Sequence, residues 1–191
     1  TIQDDLREIG PTIFLGVPRI WEKIHASIVI KIKDSAAYKR WLFDRCLSVG
    51  HRMADKRLSG EHVGPGQKLA WLTAYGLMLR ALQNFVGLRK ARFCFSAAAP
   101  ISPDVLRFFH ALGIRVKEGY GMTESTGLSF IHMGEDIKIG TVGRPVSCVE
   151  YRIAEDGELL KRGESIFVGY YRNEEATNQA VTGGWLHTGD V

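Results

Sequence analysis

Cysteine is scarce in this chain: Cys46, Cys94 and Cys148 are three residues far apart in 191. An odd count with no C-x-x-C pair argues against a disulfide framework or a zinc site, and reduced core thiols are expected. Long apolar runs are missing too. The uncharged stretch Leu69–Leu79, bounded by Lys68 and Arg80, falls far short of the ~20 apolar residues that a membrane span requires. No basic-then-apolar leader opens the chain, so secretion is not indicated. No G-x-x-x-x-G-K-[ST] run occurs, which excludes a phosphate loop of the kinase or ATPase type within these residues. Gly119-Tyr120-Gly121 begins like a dinucleotide fingerprint, but the third glycine position holds Glu124 and the match fails. H-E-x-x-H and G-x-S-x-G are also absent. The six histidines are scattered and read as surface or core residues.

What the chain does have is a globular composition, 45% hydrophobic and 24% charged, with a mean hydropathy near zero. It can bury a sizeable core and does not read as disordered. The net charge of +4 hides an asymmetry. Residues 1–118 carry 19 Lys/Arg against 10 Asp/Glu, and residues 119–191 carry 6 against 11. A basic half could favour nucleic acid or an anionic membrane surface, but the basic residues are spread along helical stretches without a run of five, which favours a solvated face. Glycine is skewed the other way, with 13 of 21 in residues 113–191. Tight turns and close backbone approach to a ligand are therefore expected there. A first residue Thr1 and a last residue Val191 give the expectation of a piece of a longer protein.

The first half reads as helical. Ile20, Ile24, Ile28 and Ile32 recur every four residues, although Ile28–Lys33 also alternates as a strand does. Ser35 is a candidate N-cap for a second helix with its stripe at Tyr38, Leu42, Cys46, Val49 and Met53. After Gly64-Pro65-Gly66, a third helix is expected over 67–86, with Leu69, Leu72, Leu79 and Leu82 facing the core. Residues 92–96 then read as a strand, followed by the small-residue turn Ala97-Ala98-Ala99-Pro100. Ser102 and Pro103 open a helix that Gly113 stops, and residues 114–117 form the next strand. Strand, helix, strand with short links is a βαβ unit with parallel strands and a right-handed crossover. Its two carboxyl ends, Ser96–Ala99 and Gly119–Glu124, are where ligands bind in such sheets. Beyond them, short strands are expected at 148–153, 158–161, 165–168 and 185–188, with a turn at Asp156-Gly157 and a short helix capped by Asn173.

The run Gly119-Tyr120-Gly121-Met122-Thr123-Glu124-Ser125-Thr126 offers an aromatic face for a planar base and a hydroxyl for a phosphate oxygen. It also offers a carboxylate that can hold Mg²⁺. An ordinary strand-to-loop turn with an inward tyrosine explains it as well when it is taken alone. It does not stand alone. The run resembles the YGxTE motif of the adenylate-forming superfamily. Ser96–Pro100 is similar to the small-residue loop that precedes the motif, with alanines where the family often has glycines. Gly157-Glu158-Leu159 through Gly163 to Gly169-Tyr170 is similar to its GEL…G…GY segment, and Trp185–Asp190 to its W-x-x-TGD segment. The four fall in the family's order over about 95 residues. Leu15–Lys23, containing Val17-Pro18-Arg19, resembles the VPRxxEK stretch of long-chain fatty acyl-CoA synthetases and points to that branch, in particular its bubblegum-like subgroup. Amino-acid-adenylating domains lack the long helical segment that follows here.

The resemblance implies an α/β fold. The chain would be part of the large N-terminal domain of an adenylate-forming enzyme, with a helical first half (1–90), a parallel βαβ unit and motif loop (91–147), and a β-rich C-terminal third (148–191). It implies activation of a long-chain fatty acid with ATP to an acyl-adenylate, then transfer to CoA with loss of AMP. Tyr120 would stack on adenine, Thr123 would bond the α-phosphate, Glu124 would hold Mg²⁺, and Asp190 would take the ribose hydroxyls. Ala97, Ala98, Gly119 and Gly121 would let backbone come close to the nucleotide and the acyl carboxylate. The family's phosphate loop and its C-terminal domain with the adenylating lysine are not in this sequence, so these residues alone are expected to be inactive. Adenylation of an aryl or amino acid, and a non-catalytic nucleotide- or acyl-binding relative, remain alternatives. The expected partners are fatty acid, ATP and CoA without nucleic acid. A cytoplasmic location is expected, with peripheral contact to an anionic membrane through the basic half.

Overall fold

The computed structural model describes residues 1–134 and 136–191. They fall into two compact units, Thr1–Glu118 with Gly134–Thr141, and Gly119–Met133 with Val142–Val191.

The first unit is helical around a small parallel sheet. Its elements are α1 (Ile2–Ile9), β1 (Ile13–Gly16), α2 (Pro18–Lys33), α3 (Ala37–Leu58), α4 (Pro65–Ala74), α5 (Arg80–Val86), β2 (Phe93–Ser96), α6 (Pro103–Ala111) and the start of β3 (Val116–Met122). Strand β2 pairs in parallel with β1 (Ile13↔Phe93) and with β3 (Cys94↔Val116). The expected β2–α6–β3 unit is therefore present. Pro103 at the first helical position of α6 and Gly113 at φ +85° just beyond it frame the crossover helix as the sequence indicates. The core of this unit gathers Trp21, Ile24, Ile28, Leu79, Val86, Leu106, Phe109 and Val116. The Trp21 indole N–H is shared between the carbonyls of Gly16 and Phe95, each at 3.2 Å, so a large buried aromatic carries no unpaired donor. Helices α3 and α6 touch where Gly50 meets Ala111. A Cβ at Gly50 would lie 2.3 Å from the Ala111 carbonyl oxygen, so only glycine fits that crossing.

Several expectations change in this unit. Residues 28–33 stay helical, since α2 runs to Lys33. Ser35 is not the cap of α3. Ala36 holds that position, and the Ser35 hydroxyl bonds back to Ile32 O at 2.7 Å. Tyr38, in the first turn of α3, is 66% exposed. The third helix is broken by a π turn at Tyr75–Leu79. A π turn inserts one residue, about 100° of phase, into the helical repeat. Leu79 and Leu82 consequently face the core, whereas Leu69 and Leu72, seven to thirteen positions earlier, are left exposed.

The second unit is built from antiparallel strands. From Gly119 onward β3 pairs with β4 (Gly127–Ile131), which pairs with β5 (Arg144–Pro145). A separate sheet runs β6 (Glu150–Ile153), β7 (Leu159–Arg162), β9 (Trp185–His187), β8 (Val181–Thr182), with α7 (Glu174–Ala180) preceding β8. Asn173 caps α7 through Oδ1, which accepts from Ala176 N. The Asp156-Gly157 turn joins β6 to β7 as expected, with Gly157 at φ +91°. Gly119–Met122, expected as a loop, instead continues β3, and the turn begins at Thr123. Residues 165–168 form no strand. Their backbone groups bond to the motif turn rather than to a neighbouring ladder, as described below. Cys148 is exposed, so only Cys46 and Cys94 are buried thiols.

Candidate functional site

Within the second unit the motif residues converge with the last residues of the chain. Strand β3 ends at Met122, and Thr123–Ser125 form one turn of 3-10 helix that closes on Thr126 at φ +58°. The turn can fold back this tightly because Gly121 has no side chain. A Cβ there would lie 1.9 Å from the Gly127 carbonyl oxygen. Gly119 is also closely approached, with Leu128 Cδ2 2.9 Å from where a Cβ would stand. Thr123 projects from the turn and is exposed, while Glu124 is half-buried.

The 165–170 segment docks on this turn. Phe167 N donates to Glu124 O at 2.8 Å, Thr126 Oγ1 donates to Ser165 O at 2.6 Å, and the Tyr170 hydroxyl donates to Glu124 Oε1 at 2.8 Å. Asp190 is set by a second group of bonds. Its backbone carbonyl accepts from Leu159 N at 2.8 Å, its own N–H donates to Thr188 Oγ1 at 3.2 Å, and Thr188 Oγ1 donates to Leu159 O at 2.6 Å. The Glu158 carboxylate braces the same loop by accepting from Gly189 N at 2.8 Å, and it meets His187 Nδ1 at 2.8 Å. From that loop the Asp190 carboxylate reaches Tyr120, whose hydroxyl donates to Oδ2. The structure thus brings Tyr120 and Asp190 together, with Glu124 on the turn that follows β3. In the first unit, the half-buried Ala97 and the exposed Ala98 follow β2 at its carboxyl end, and Ala98 sits at φ +77°. A left-handed backbone at a non-glycine residue is uncommon and is held only by its surroundings.

A model of the AMP-binding enzyme family matches residues 1–171. The chain belongs to that family. Over 193 residues it is 35% identical to a putative fatty-acid–CoA ligase of Mycobacterium tuberculosis, covering all of this chain and 34% of that protein. It is 33% identical to a long-chain-fatty-acid–CoA ligase of Xenopus laevis, covering 97% of this chain and 26% of the relative. It therefore spans between a quarter and a third of the curated relatives it matches. Among solved structures, a malonyl-CoA ligase ternary product complex with methylmalonyl-CoA and AMP overlays 98% of this chain and 32% of its own, at TM-score 0.55 and 26% identity. An anthranilate CoA ligase in complex with anthranoyl-AMP covers 61% of this chain and 25% of its own, at TM-score 0.51 and 29% identity.

The electrostatics of the site follow from its packing. Burial, and then the bond to Asp190, push the Tyr120 hydroxyl up to about 12. Tyr120 therefore remains a neutral donor at ordinary pH. Tyr170 is raised as well, chiefly by its bond to Glu124. Donation from a phenol to a carboxylate uses one of roughly four lone-pair positions, so both carboxylates keep acceptor capacity. Among the described residues no cluster of three or more His, Cys, Asp or Glu could hold a metal ion by itself. Mg²⁺ needs no such cluster, because it is commonly held by one or two carboxylates together with substrate phosphates and water. Glu124 fits that role.

The sequence nominates Tyr120, Thr123, Glu124 and Asp190 but assigns no role to Tyr170, whose hydroxyl the structure places on Glu124. Nor does the sequence single out Lys161. That lysine is 0% exposed, with its ammonium on the Ser125 and Ser129 hydroxyls. A basic residue in the short strand Leu159–Arg162 reads as solvent-facing, and nothing in its spacing says otherwise.

Proposed function

We propose that the whole protein is an ATP-dependent fatty acid–CoA ligase acting through an acyl-adenylate. The reading is supported by family membership, by two curated relatives named as fatty-acid ligases, and most of all by one observation. Tyr120, the face proposed for the base, and Asp190, the carboxylate proposed for the ribose, are bonded to each other beside the Thr123–Ser125 turn.

In the first half-reaction a carboxylate oxygen of the acid attacks the α-phosphorus of ATP. An O–P bond forms, the bridging P–O bond to the β-phosphate breaks, and pyrophosphate leaves. In the second, the CoA sulfur attacks the acyl carbon and AMP departs. Charge builds on phosphate oxygens in the first step, so positioned donors and cations carry most of the acceleration. The Tyr120 ring offers its face to adenine. Asp190, already holding the Tyr120 hydroxyl on Oδ2, takes the ribose hydroxyls on its remaining lone pairs. The exposed Thr123 hydroxyl bonds an α-phosphate oxygen. Glu124, oriented by Tyr170, would hold Mg²⁺, which neutralises phosphate charge when bound.

The decisive experiment is a panel of acids on the full-length protein, reading pyrophosphate release with ATP. Higher kcat/KM for fatty acids of increasing chain length than for benzoate, anthranilate or amino acids is the expected result. A preference for aryl acids would move the protein toward the chemistry named for its anthranilate-ligase neighbour. Absence of release with every acid would favour a non-catalytic relative.

No helix of the described residues is long and apolar enough to cross a membrane. Fatty acids partition into bilayers, and the first 118 residues hold 19 Lys/Arg against 10 Asp/Glu. Weak attachment to anionic bilayers follows, at roughly 1 kcal/mol per basic residue near the surface and screened by salt. Co-sedimentation with phosphatidylserine vesicles at low salt that disappears at high salt is expected. No sedimentation even at low salt would remove this part of the proposal.

A further inference from the structure

Lys161 is the one charged side chain among the largest fully buried groups. Strand β7 is covered on both faces at this point, since Leu160 and Lys161 point to opposite sides and both are buried. Burying an ammonium is costly unless its hydrogens are used and its charge is met. No carboxylate of the described residues lies within ion-pair distance of it. The compensation is instead a closed network inside the second unit. Nζ donates to Ser125 Oγ at 2.9 Å and to Ser129 Oγ at 3.2 Å. Ser129 Oγ donates to Ser125 Oγ at 2.8 Å, and Ser125 Oγ donates to Met122 O at 3.2 Å. A hydroxyl can accept two hydrogen bonds and donate one. Ser125 does all three, so the network has one direction, outward from the lysine. The ammonium also lies 4.9 Å from the centroid of the Tyr120 ring, within cation–π range. The network therefore connects the two parts of the motif, the ring of Tyr120 and the turn that carries Thr123 and Glu124.

We propose that Lys161 is a positioning residue for nucleotide binding: its buried ammonium fixes the plane of the Tyr120 ring and the Thr123–Ser125 turn. This rests on the ligase reading given above. The fields of Asp190 and Glu124 favour the charged lysine, while burial, the larger effect, lowers its pKa. The ammonium is thus lost at a lower pH than for an exposed lysine. The titratable groups facing it are Tyr120, Asp190 and Glu124, with Tyr170 behind Glu124. Tyr120 ionises only near 12.

The test is steady-state adenylation by the full-length protein as wild type, Lys161→Met, Ser129→Ala and the variant carrying both, with pyrophosphate release followed against ATP between pH 7 and 10. Methionine keeps an unbranched chain of similar length without the charge. The expected result is a roughly tenfold higher KM for ATP in Lys161→Met at pH 7, with kcat falling by less. Wild-type KM rises with pH toward that of the variant, while the variant's KM stays flat. Ser129→Ala keeps the lysine and raises KM for ATP by a smaller factor, an effect that vanishes in the Lys161→Met background because the two residues act through one network. If Lys161→Met does not fold, the Ser129→Ala shift and the wild-type pH profile decide alone. An ATP KM and pH profile unchanged from wild type in a folded Lys161→Met, or an unshifted Ser129→Ala with a flat wild-type profile, would overturn the positioning role and leave the ligase reading intact. A wild type that releases no pyrophosphate with any acid overturns both.

Discussion

The Tyr170 hydroxyl lies 2.8 Å from Glu124 Oε1, so the carboxylate proposed to hold Mg²⁺ is aimed by a tyrosine 46 positions later in the chain. The same segment grips the backbone of Glu124 through Phe167 N. Partners that orient a metal-ligating carboxylate commonly matter ten- to a hundredfold in metal affinity. Tyr170→Phe removes only the hydroxyl and keeps the ring against Phe167, whose centroid is 4.8 Å away. In the full-length protein it is expected to raise the Mg²⁺ concentration for half-maximal adenylation by about tenfold, with an unchanged melting temperature. A Mg²⁺ titration that overlays wild type would show that the bond does not serve the metal.

Glu124 and Asp190 are proposed for different partners, so their losses separate kinetically. Glu124→Gln removes charge from the metal site, which serves the transition state more than ground-state binding. Lower kcat for adenylation and a higher Mg²⁺ requirement are expected. Asp190→Asn keeps the shape but weakens bonds to two hydroxyls, each worth ~1.5–3 kcal/mol when charge-assisted. It should raise KM for ATP about tenfold or more, since ~1.4 kcal/mol is a factor of ten. Thioester formation from supplied acyl-adenylate should suffer less in Glu124→Gln, because no pyrophosphate leaves in that step. If Glu124→Gln alters only KM for ATP and leaves the Mg²⁺ dependence untouched, the metal assignment is wrong.

The parts of the fold that could be read from the sequence are those set by local signals. Pro103 and Gly113 bracket α6, and with β2 and β3 they dictate a parallel crossover whatever surrounds it. The four-residue spacing of Ile24 and Ile28 identified a buried face correctly. What could not be read depends on partners distant in sequence. The π turn at Tyr75–Leu79 shifts helical phase without a proline or any glycine strain to announce it, and this misplaced Leu69 and Leu72. The antiparallel continuation of β3 depends on β4 folding back across Gly121, a close approach that glycine permits but does not predict. At the proposed site, Tyr120, Glu124 and Asp190 were legible as a motif. Lys161 was not, because a buried lysine depends on two serines more than 30 positions away.

Two glycines test the packing argument with opposite signs. Gly50→Ala places a Cβ 2.3 Å from the Ala111 carbonyl oxygen, where backbone must move. Overpacking of this kind costs about 1–3 kcal/mol, and a fall in melting temperature of several degrees is expected. Gly76, within the π turn, has nothing within 4 Å of an added Cβ and no positive φ. Gly76→Ala should raise stability by about 0.5–1 kcal/mol through the lower entropy of the unfolded chain. Thermal denaturation of both variants checks the pair. A neutral Gly50→Ala would mean that α3 and α6 do not cross as closely as described.

His110 gives the first unit a defined response to acid. It is buried in α6, and its Nε2 lies 2.8 Å from Val116 O. A carbonyl can only accept, so Nε2 carries the proton and the neutral ring is the donor. Burial is the main cause of its lowered pKa, with Arg115 and Arg57 acting in the same direction against the bond to Val116. A histidine whose folded pKa lies below its unfolded value contributes fully above the unfolded value of ~6.5 and progressively less below it, because the unfolded chain then binds the proton first. His25, lowered by burial as well, acts in the same sense. Unfolding free energy measured by denaturant titration should therefore fall between pH 7 and pH 5. His110→Gln can still donate to Val116 O but does not titrate, so it should flatten that slope partially and leave the remainder to His25. An identical slope in wild type and His110→Gln would show that His110 is protonated as readily in the folded chain as in the unfolded one.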